Sequence, residues 1–549
     1  MNKRNNTPAY TANNQNPIDI KVSGEEELLD SINHECQQAD VDKINNRYNA
    51  SNGGVYYLTP LSFAYKVWLF RWAPNLREYV IGGLYWHEVR NLLEDAGYYR
   101  RLIGKDYIFI QKRGSVIRET TPESMRHYIM EYVQSFHENV TFVYGKVDFS
   151  IPPGALQEIF LNNSNNLFNK TWLQHLKVHD EPVLKDTSDE MYFVFQNCLV
   201  VVTREGKSIS DLHQRRGMCV WEDQIIRHDF NLIEDGTNSH FHSFLINISA
   251  MNDERLSSMS SGIGYLMHHH FNESEGQAVI LYDESLGEGN APMGGSGKGV
   301  LVNAIKQVRR VSKIDGKLLD IGNKFKWENV SPSTQVAWLD DVKPDFEFSM
   351  LHSNLTDGWT VERKFQSQFV IASKDSPKTV ISSNSIIRGE GTTNKRRQFV
   401  IEVSDFYSRQ IITGQEKPIE DTHGCIFFSD KSWSGDEWNK FFNVMFNCAH
   451  LYLKHKLIHF KGINVAYKQL IQSTDRDFVE WVNKEDLKIN SDYETKLYFQ
   501  KFTDEYGALL FEMSQRKFTE NLKIFAKFKS WKLGTYQSGS KSYFRFVCI

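Results

Sequence analysis

Three short stretches carry residue types that could handle phosphate. In "GGSGKG", Gly294, Gly295 and Gly297 let a backbone close around phosphate oxygens, with Ser296 between them. Lys298 would reach the outer phosphates. The next residue is Gly299, where the phosphate-loop pattern calls for Ser or Thr. Taken alone, such a stretch could also be a glycine-rich surface turn. The second stretch, "TQVAWLDD", ends an apolar run in two carboxylates, and a buried strand rarely ends that way without a use for the charge. Asp340 suits a magnesium ion held through water, and Asp341 suits a water to be polarised. The third, "KTVISSN", ends another apolar run in an amide, Asn384, able to sense a terminal phosphate from an adjacent strand. "KRRQFVIEV" then puts Arg396 and Arg397 at the start of a further strand.

These residues can meet only if their strands end at one edge of one sheet. Residues 279–281 read as a buried strand ahead of the glycine loop. A helix opening near Gly299 would turn its first N–H groups toward an anion. From 278 to 410 strands alternate with helices, as a parallel sheet requires. A glycine loop, paired acids, a polar strand end and arginines, in this order within one compact block, point to an ATPase using ATP and Mg²⁺.

"GGSGKG", "VAWLDD", "LTDGWTVERK" and "KTVISSN" together resemble the four motifs of superfamily 3 helicases, in order and in spacing. The block is most similar to the primase-helicase type of phages, plasmids and large DNA viruses and covers about a quarter of the chain. "GYYRRLIGKDYIFIQKRGSVIRET", "YFVFQNCLVVVT" and "EWNKFFNVMF" look similar to that type as well. The resemblance implies a P-loop, AAA+-like ATPase core. It makes Lys298 the Walker A lysine, Asp340 and Asp341 the Walker B acids and Asn384 the sensor. Arg397 becomes the arginine finger that reaches a neighbouring subunit's nucleotide, with Arg396 as its alternate. It also implies a homo-oligomeric ring, six by the family's habit, acting on DNA in replication of a mobile element beside a separate primase or polymerase. Gly299 departs from the pattern and costs magnesium one ligand, which a water can replace because the ion keeps several waters anyway.

Two surfaces suit DNA. "LTDGWTVERKFQSQFVIASKDSPK" reads as paired strands that put Arg363, Lys364 and Phe365 at or near a hairpin tip. A cation beside an aromatic suits single-stranded DNA, whose phosphates take the charge while bases stack. A solvated hairpin with an ordinary lysine is the plainer alternative, and the resemblance favours a hairpin lining a central pore. From 514 to 549 eight Lys or Arg, among them Lys517, Lys523, Lys527 and Lys541, stand against one acid, Glu520. Ser514 reads as a helix N-cap, with Phe518, Leu522 and Phe525 on one face and a hairpin around "SGS" following. Helix then hairpin resembles a winged helix with its wing at 534–542, suited to duplex DNA. The alternative is a terminal domain with a solvated basic face.

The expected class is a multidomain α/β protein. Its scheme is a polar mobile tail over 1–52 with one acidic helix, a small α+β domain over 53–140 and a mixed β region over 141–245. A helical collar over 246–277, the ATPase core over 278–410, a helical region over 411–500 and a winged-helix-like domain over 501–549 complete it. The net charge of −4 over 549 residues excludes a globally basic nucleic-acid binder, so any basic surface is local. Six scattered cysteines with no CxxC argue against a zinc ribbon or a disulfide framework. No apolar run has membrane-spanning length and the start is not a secretory signal, so the expectation is a soluble, cytoplasmic protein of a bacterial or virus-infected cell without a membrane partner. His268, His269 and His270 point in different directions on a helix and suit structure better than a metal. The part ahead of the motif block is too short for an archaeo-eukaryotic primase domain, and no primase activity is expected. The leading function is an ATP-driven DNA helicase. A DNA-binding initiator or scaffold with weak turnover, and a defence or regulatory ATPase of the same fold, are the alternatives.

Overall fold

The structure is a computed structural model that describes residues 68–73, 75, 78–84, 86–134, 140–144, 147–210, 217–231, 236–272, 275–284, 295–320, 322–343, 346–364, 368–387, 392–461, 465–506 and 513–548. The tail expected over 1–52 lies outside them with its acidic helix, as do Gly294 and Phe365. The chain divides into two compact units. One holds the described residues up to Arg101 with Ile108–Arg113 and Glu119–His179; the other holds Leu102–Tyr107, Gly114–Arg118 and Asp180–Ile549.

In the first unit, strands Trp68–Ala73 and Glu78–Leu84 form an antiparallel pair. Helix Pro122–Gln134 buries Met125, Ile129 and Val133, whose four-residue spacing makes one apolar stripe. That stripe packs with Val89 and Leu93 of helix Trp86–Asp95 and with Phe160 and Leu167 of helix Pro153–Leu167.

The second unit is a mixed α/β assembly around a five-stranded parallel sheet. Helices α1 (His240–Ile248) and α2 (Asp253–Met267) precede it. Then come β1 (Ala278–Asp283), α3 (Lys298–Val308), β2 (Val311–Asp315) and β3 (Val336–Asp340). An antiparallel hairpin follows, β4 (Gly358–Val361) with β5 (Phe369–Ala372), and then β6 (Lys378–Ser382) and β7 (Gln398–Val403). The sheet order is β2-β3-β6-β1-β7, with every pairing parallel.

Both faces of the sheet are covered, so β1 is buried at every position and reads as an apolar run. Its side chains alternate between two cores. Val279 and Leu281 join Leu301 and Ile305 of α3 and Ile263 and Leu266 of α2. Ala278, Ile280 and Tyr282 join Trp359 of β4 and Phe369 and Ile371 of β5. The aromatic stretch 435–455 forms α4 (Gly435–His455), capped by Ser434, whose Oγ accepts from the Glu437 N–H at 3.2 Å. Helix α4 lies so close to α2 that a Cβ at Gly264 would stand 2.2 Å from the Cys448 carbonyl oxygen, so only glycine fits.

The C-terminal elements include α5 (Val465–Ser473), β8 (Asp492–Glu494), α6 (Gln515–Phe528) and an antiparallel hairpin of β9 (Trp531–Ser538) and β10 (Lys541–Cys548), with helices Arg476–Lys484 and Thr495–Tyr506 between α5 and α6. They close on an aromatic core of their own that includes Phe478, Trp481, Phe502, Phe518 and Phe546. Ser514 caps α6, its Oγ accepting from the Lys517 N–H at 3.2 Å, and Phe518, Leu522 and Phe525 are buried.

Arg309, just past α3, is buried. Its guanidinium donates to Asp186 at 3.2 Å and to the carbonyls of Tyr192 and Met267 at 2.7 Å each. Asp186 also accepts the Tyr192 and His269 backbone N–H groups at 2.8 Å each, so this buried pair is fully bonded. His268 and His269 lie beside it, buried, and burial lowers their pKa to about 3 and about 4. Unfolded histidines titrate near 6.5, so between these values the unfolded chain binds protons that the folded one does not. Their contribution to stability is complete above about pH 6.5 and is lost as pH falls toward 4 and 3. Thermal melts should therefore weaken progressively from pH 6.5 to pH 4, and His269→Met should flatten that slope.

Candidate functional site

Parallel sheets collect chemistry at the carboxyl ends of their strands, where the strand order reverses. Here β3, β6 and β1 lie side by side, and the chain returns across β1 to add β7. The ends of β3 and β6 lead into the acids and the amide singled out in the sequence, and β1 ends in a further acid, Asp283.

The centre is Lys298, buried at the first position of α3. Its Nζ ion-pairs with Asp283, the last residue of β1, and donates to Asn384 Oδ1 at 2.8 Å. The other oxygen of Asp283 accepts from Ser296 Oγ. Asn384 Nδ2 donates to Asp341 Oδ1 at 3.2 Å, and Lys317 Nζ meets the other Asp341 oxygen at 2.5 Å. A continuous bonded chain thus runs from Asp283 through Lys298, Asn384 and Asp341 to Lys317. The Asp341 carboxylate raises the pKa of the exposed Lys317 amine. Asp340 pairs with Lys313 at 2.7 Å, and Lys313 also stands 4.7 Å from the Trp338 ring centre.

Ser382, the buried last residue of β6, fixes the acid pair. Its hydroxyl donates to Asp340 Oδ1 at 2.7 Å and accepts from Trp338 Nε1 at 3.0 Å and from the Asp341 N–H at 3.2 Å. Asp341 turns off β3 with a positive φ of 56°, a backbone state that Asp tolerates better than most residues. Gly297 precedes α3 with φ 105°, and a Cβ there would press on the Phe244 ring at 3.0 Å. No side chain caps α3, which leaves its first N–H groups for an anion. Gly299 is exposed, with nothing within 4 Å of where its Cβ would stand. Counting back from Gly297, the first glycine of the phosphate-loop pattern falls on Pro292, a second departure, outside the described residues.

Other residues lie elsewhere. Arg396 and Arg397 precede β7, and the Arg397 carbonyl accepts from the Ala278 N–H at 2.8 Å at the start of β1. They therefore stand at the opposite edge of the sheet from Lys298, a strand length of about 20 Å away. On the β4–β5 hairpin Arg363 is anchored, its guanidinium donating to the carbonyls of Glu328 at 3.2 Å and Val330 at 3.1 Å, 5.2 Å from the Phe369 ring centre. Lys364 beyond it is exposed. At the C-terminus Lys517, Lys523 and Lys527 are exposed on α6. Lys541 instead pairs with Glu494 at 2.7 Å, and Arg545 grips Asp492 through two bonds. Strand β8 thus neutralises part of the basic cluster, which the composition of residues 514–549 alone does not reveal.

Sequence reasoning passes over Asp283, Ser382, Lys313 and Lys317. Asp283 carries a readable signal, an acid closing an apolar run as in "VAWLDD". The other three depend on which strands are neighbours.

No family model matches the chain, and no curated protein does. Among solved structures, it is similar to an apo structure of the NrS-1 C terminal region, at 12% identity over 84% of this chain and 98% of that one, with a TM-score of 0.37. It is also similar to a structure of JCV helicase bound to a small molecule, at 10% identity over 52% of this chain and 71% of that one, with a TM-score of 0.21. Both scores are low, and the functional reading rests on the geometry of the site.

Ser382→Ala should cost about 1–3 kcal/mol, because Trp338 Nε1 and the Asp341 N–H lose a buried acceptor. Chemical denaturation measures this. Stability within a few tenths of the unaltered protein would show that the hydroxyl does not hold the acid pair.

Proposed function

We propose that the chain is an ATP-driven DNA helicase or translocase that works as a ring in replication of a phage, plasmid or other mobile element. One observation carries the reading: Asn384, just past β6, is hydrogen-bonded both to Lys298 at the start of α3 and to Asp341 just past β3. Lys298 and the free N–H groups of α3 bind the phosphates. Asp341 accepts a proton from the attacking water, and Asn384, between the two, registers whether a terminal phosphate is present. The partly exposed Asp340 carboxylate fits a magnesium ion that keeps several waters, which suits the lack of a hydroxyl at Gly299. When bound, the ion neutralises phosphate charge. Lys364 faces solvent at the end of β4, where it can follow a single strand, and the α6 lysines can hold duplex DNA.

The alternative, a DNA-binding initiator or scaffold with weak turnover, draws on Gly299, Pro292 and the pairing of Lys298 with Asp283. Hydrolysis of ATP with and without single-stranded DNA decides between the two. Turnover stimulated by DNA is expected. Lys298→Ala should abolish it, and Asp341→Asn should bind ATP yet turn it over slowly; full hydrolysis by either variant would remove the assignment. Gly299→Ser has room for its side chain and should raise turnover if the missing hydroxyl limits the site.

Arg397 stands too far from its own Lys298 to reach the same phosphates, so its action on ATP would be on a neighbour's nucleotide. Arg397→Ala should leave ATP binding intact and slow hydrolysis by roughly 10³–10⁵-fold. Mixing it with Lys298→Ala subunits should restore part of the activity. A monomer with full turnover would rule this arrangement out.

A further inference from the structure

Both acceptors of the Lys298 ammonium belong to strand ends that one C-terminal helix holds. On α5, Lys468 and Gln472 are four residues apart and share a stripe. Lys468 Nζ donates to the main-chain carbonyl of Asp283 at 3.0 Å and ion-pairs with Glu402 of β7. Gln472 clasps Ile386, two residues past Asn384. The Ile386 N–H donates to its Oε1 at 2.7 Å, and its Nε2 donates to the Ile386 carbonyl at 3.1 Å. Away from that stripe, α5 sends Leu470 and Ile471 into the C-terminal core with Phe518, Leu522 and Phe525 of α6. Helix α6 carries the exposed basic cluster.

Two properties make this more than packing. The bonds reach backbone atoms of Asp283 and Ile386, and Gln472 holds Ile386 through two bonds at once, so a shift of α5 pulls on the main chain beside Lys298's acceptors. The helix has nine residues and is about 13 Å long, too short to bend between its two attachments. We infer that Lys468 and Gln472 are positioning residues that couple occupancy of the C-terminal basic surface to the geometry of Asp283, Asn384 and hence Lys298. The inference rests on the nucleotide and DNA reading above. By thermodynamic linkage the coupling is reciprocal: whatever factor DNA applies to nucleotide affinity, nucleotide applies to DNA affinity.

The test uses the full chain, a fluorescent ATP analogue and a short blunt DNA duplex at one fixed salt concentration. Affinity for each ligand is measured with and without the other. The unaltered protein should show a ratio of about fivefold or more, equal in both directions. Lys468→Met and Gln472→Ala should each still bind both ligands singly, with the ratio falling toward one. Lys468→Met leaves Glu402 beside Arg255, whose Nε donates to the Glu402 carbonyl at 3.0 Å. If that variant melts early, Gln472→Ala carries the test. A ratio of one in the unaltered protein, or one unchanged in the variants, overturns the coupling and leaves the nucleotide reading standing. Absence of any nucleotide binding by the unaltered protein overturns both.

Discussion

A parallel sheet covered on both faces has no polar surface except at its strand ends, and the second unit is organised around that constraint. Strand β1 cannot place a charge within its length without burying it unpaired, a cost that only paired and hydrogen-bonded groups avoid. Asp283, Asp340 and the residues after Ser382 all fall where strands leave the sheet, and each charge there has a partner. The helices α2, α3 and α4 and the β4–β5 hairpin then keep water off the faces, and α3 also brings Lys298 to the strand ends.

The site is close to electrically neutral: Asp283, Asp340 and Asp341 stand against Lys298, Lys313 and Lys317. A polyphosphate entering it must take Lys298 from a carboxylate already bonded to it. That exchange weakens binding relative to a free lysine, yet it also keeps a buried ammonium satisfied before the ligand arrives. The same logic covers Arg309 and Asp186, where no exchange takes place and the pair is purely structural.

Much of the sheet is readable in the sequence because β1, β3 and β6 are each a short apolar run that ends in a polar residue. The cap at Ser514 and the apolar face of α6 are readable for a similar reason, since both are local patterns. What escapes is whatever depends on strand order. Nothing near Lys317 announces that it will meet Asp341, because that requires β2 to lie next to β3. Ser382 looks like any strand serine until β6 is inserted beside β3. Arg363 illustrates the reverse: a cation at an apparent hairpin tip turns out to be bonded to carbonyls more than thirty positions earlier in the chain. The basic C-terminus misleads in the same way, because Asp492 and Glu494 reach it through the pairing of β8 with β10.

The placement of β1 between β6 and β7 also bears on how the chain is made. Both neighbours of this buried strand are encoded far downstream, from Lys378 and Gln398 onward. At about 5–20 residues per second, a ribosome leaves β1 without either partner for several seconds after it emerges. During that interval an apolar strand with two open edges is exposed, and such segments are the ones that pair with the wrong chain. Protection of the emerging β1 during that interval, as well as the stability of the finished sheet, then bears on how much folded protein a cell obtains.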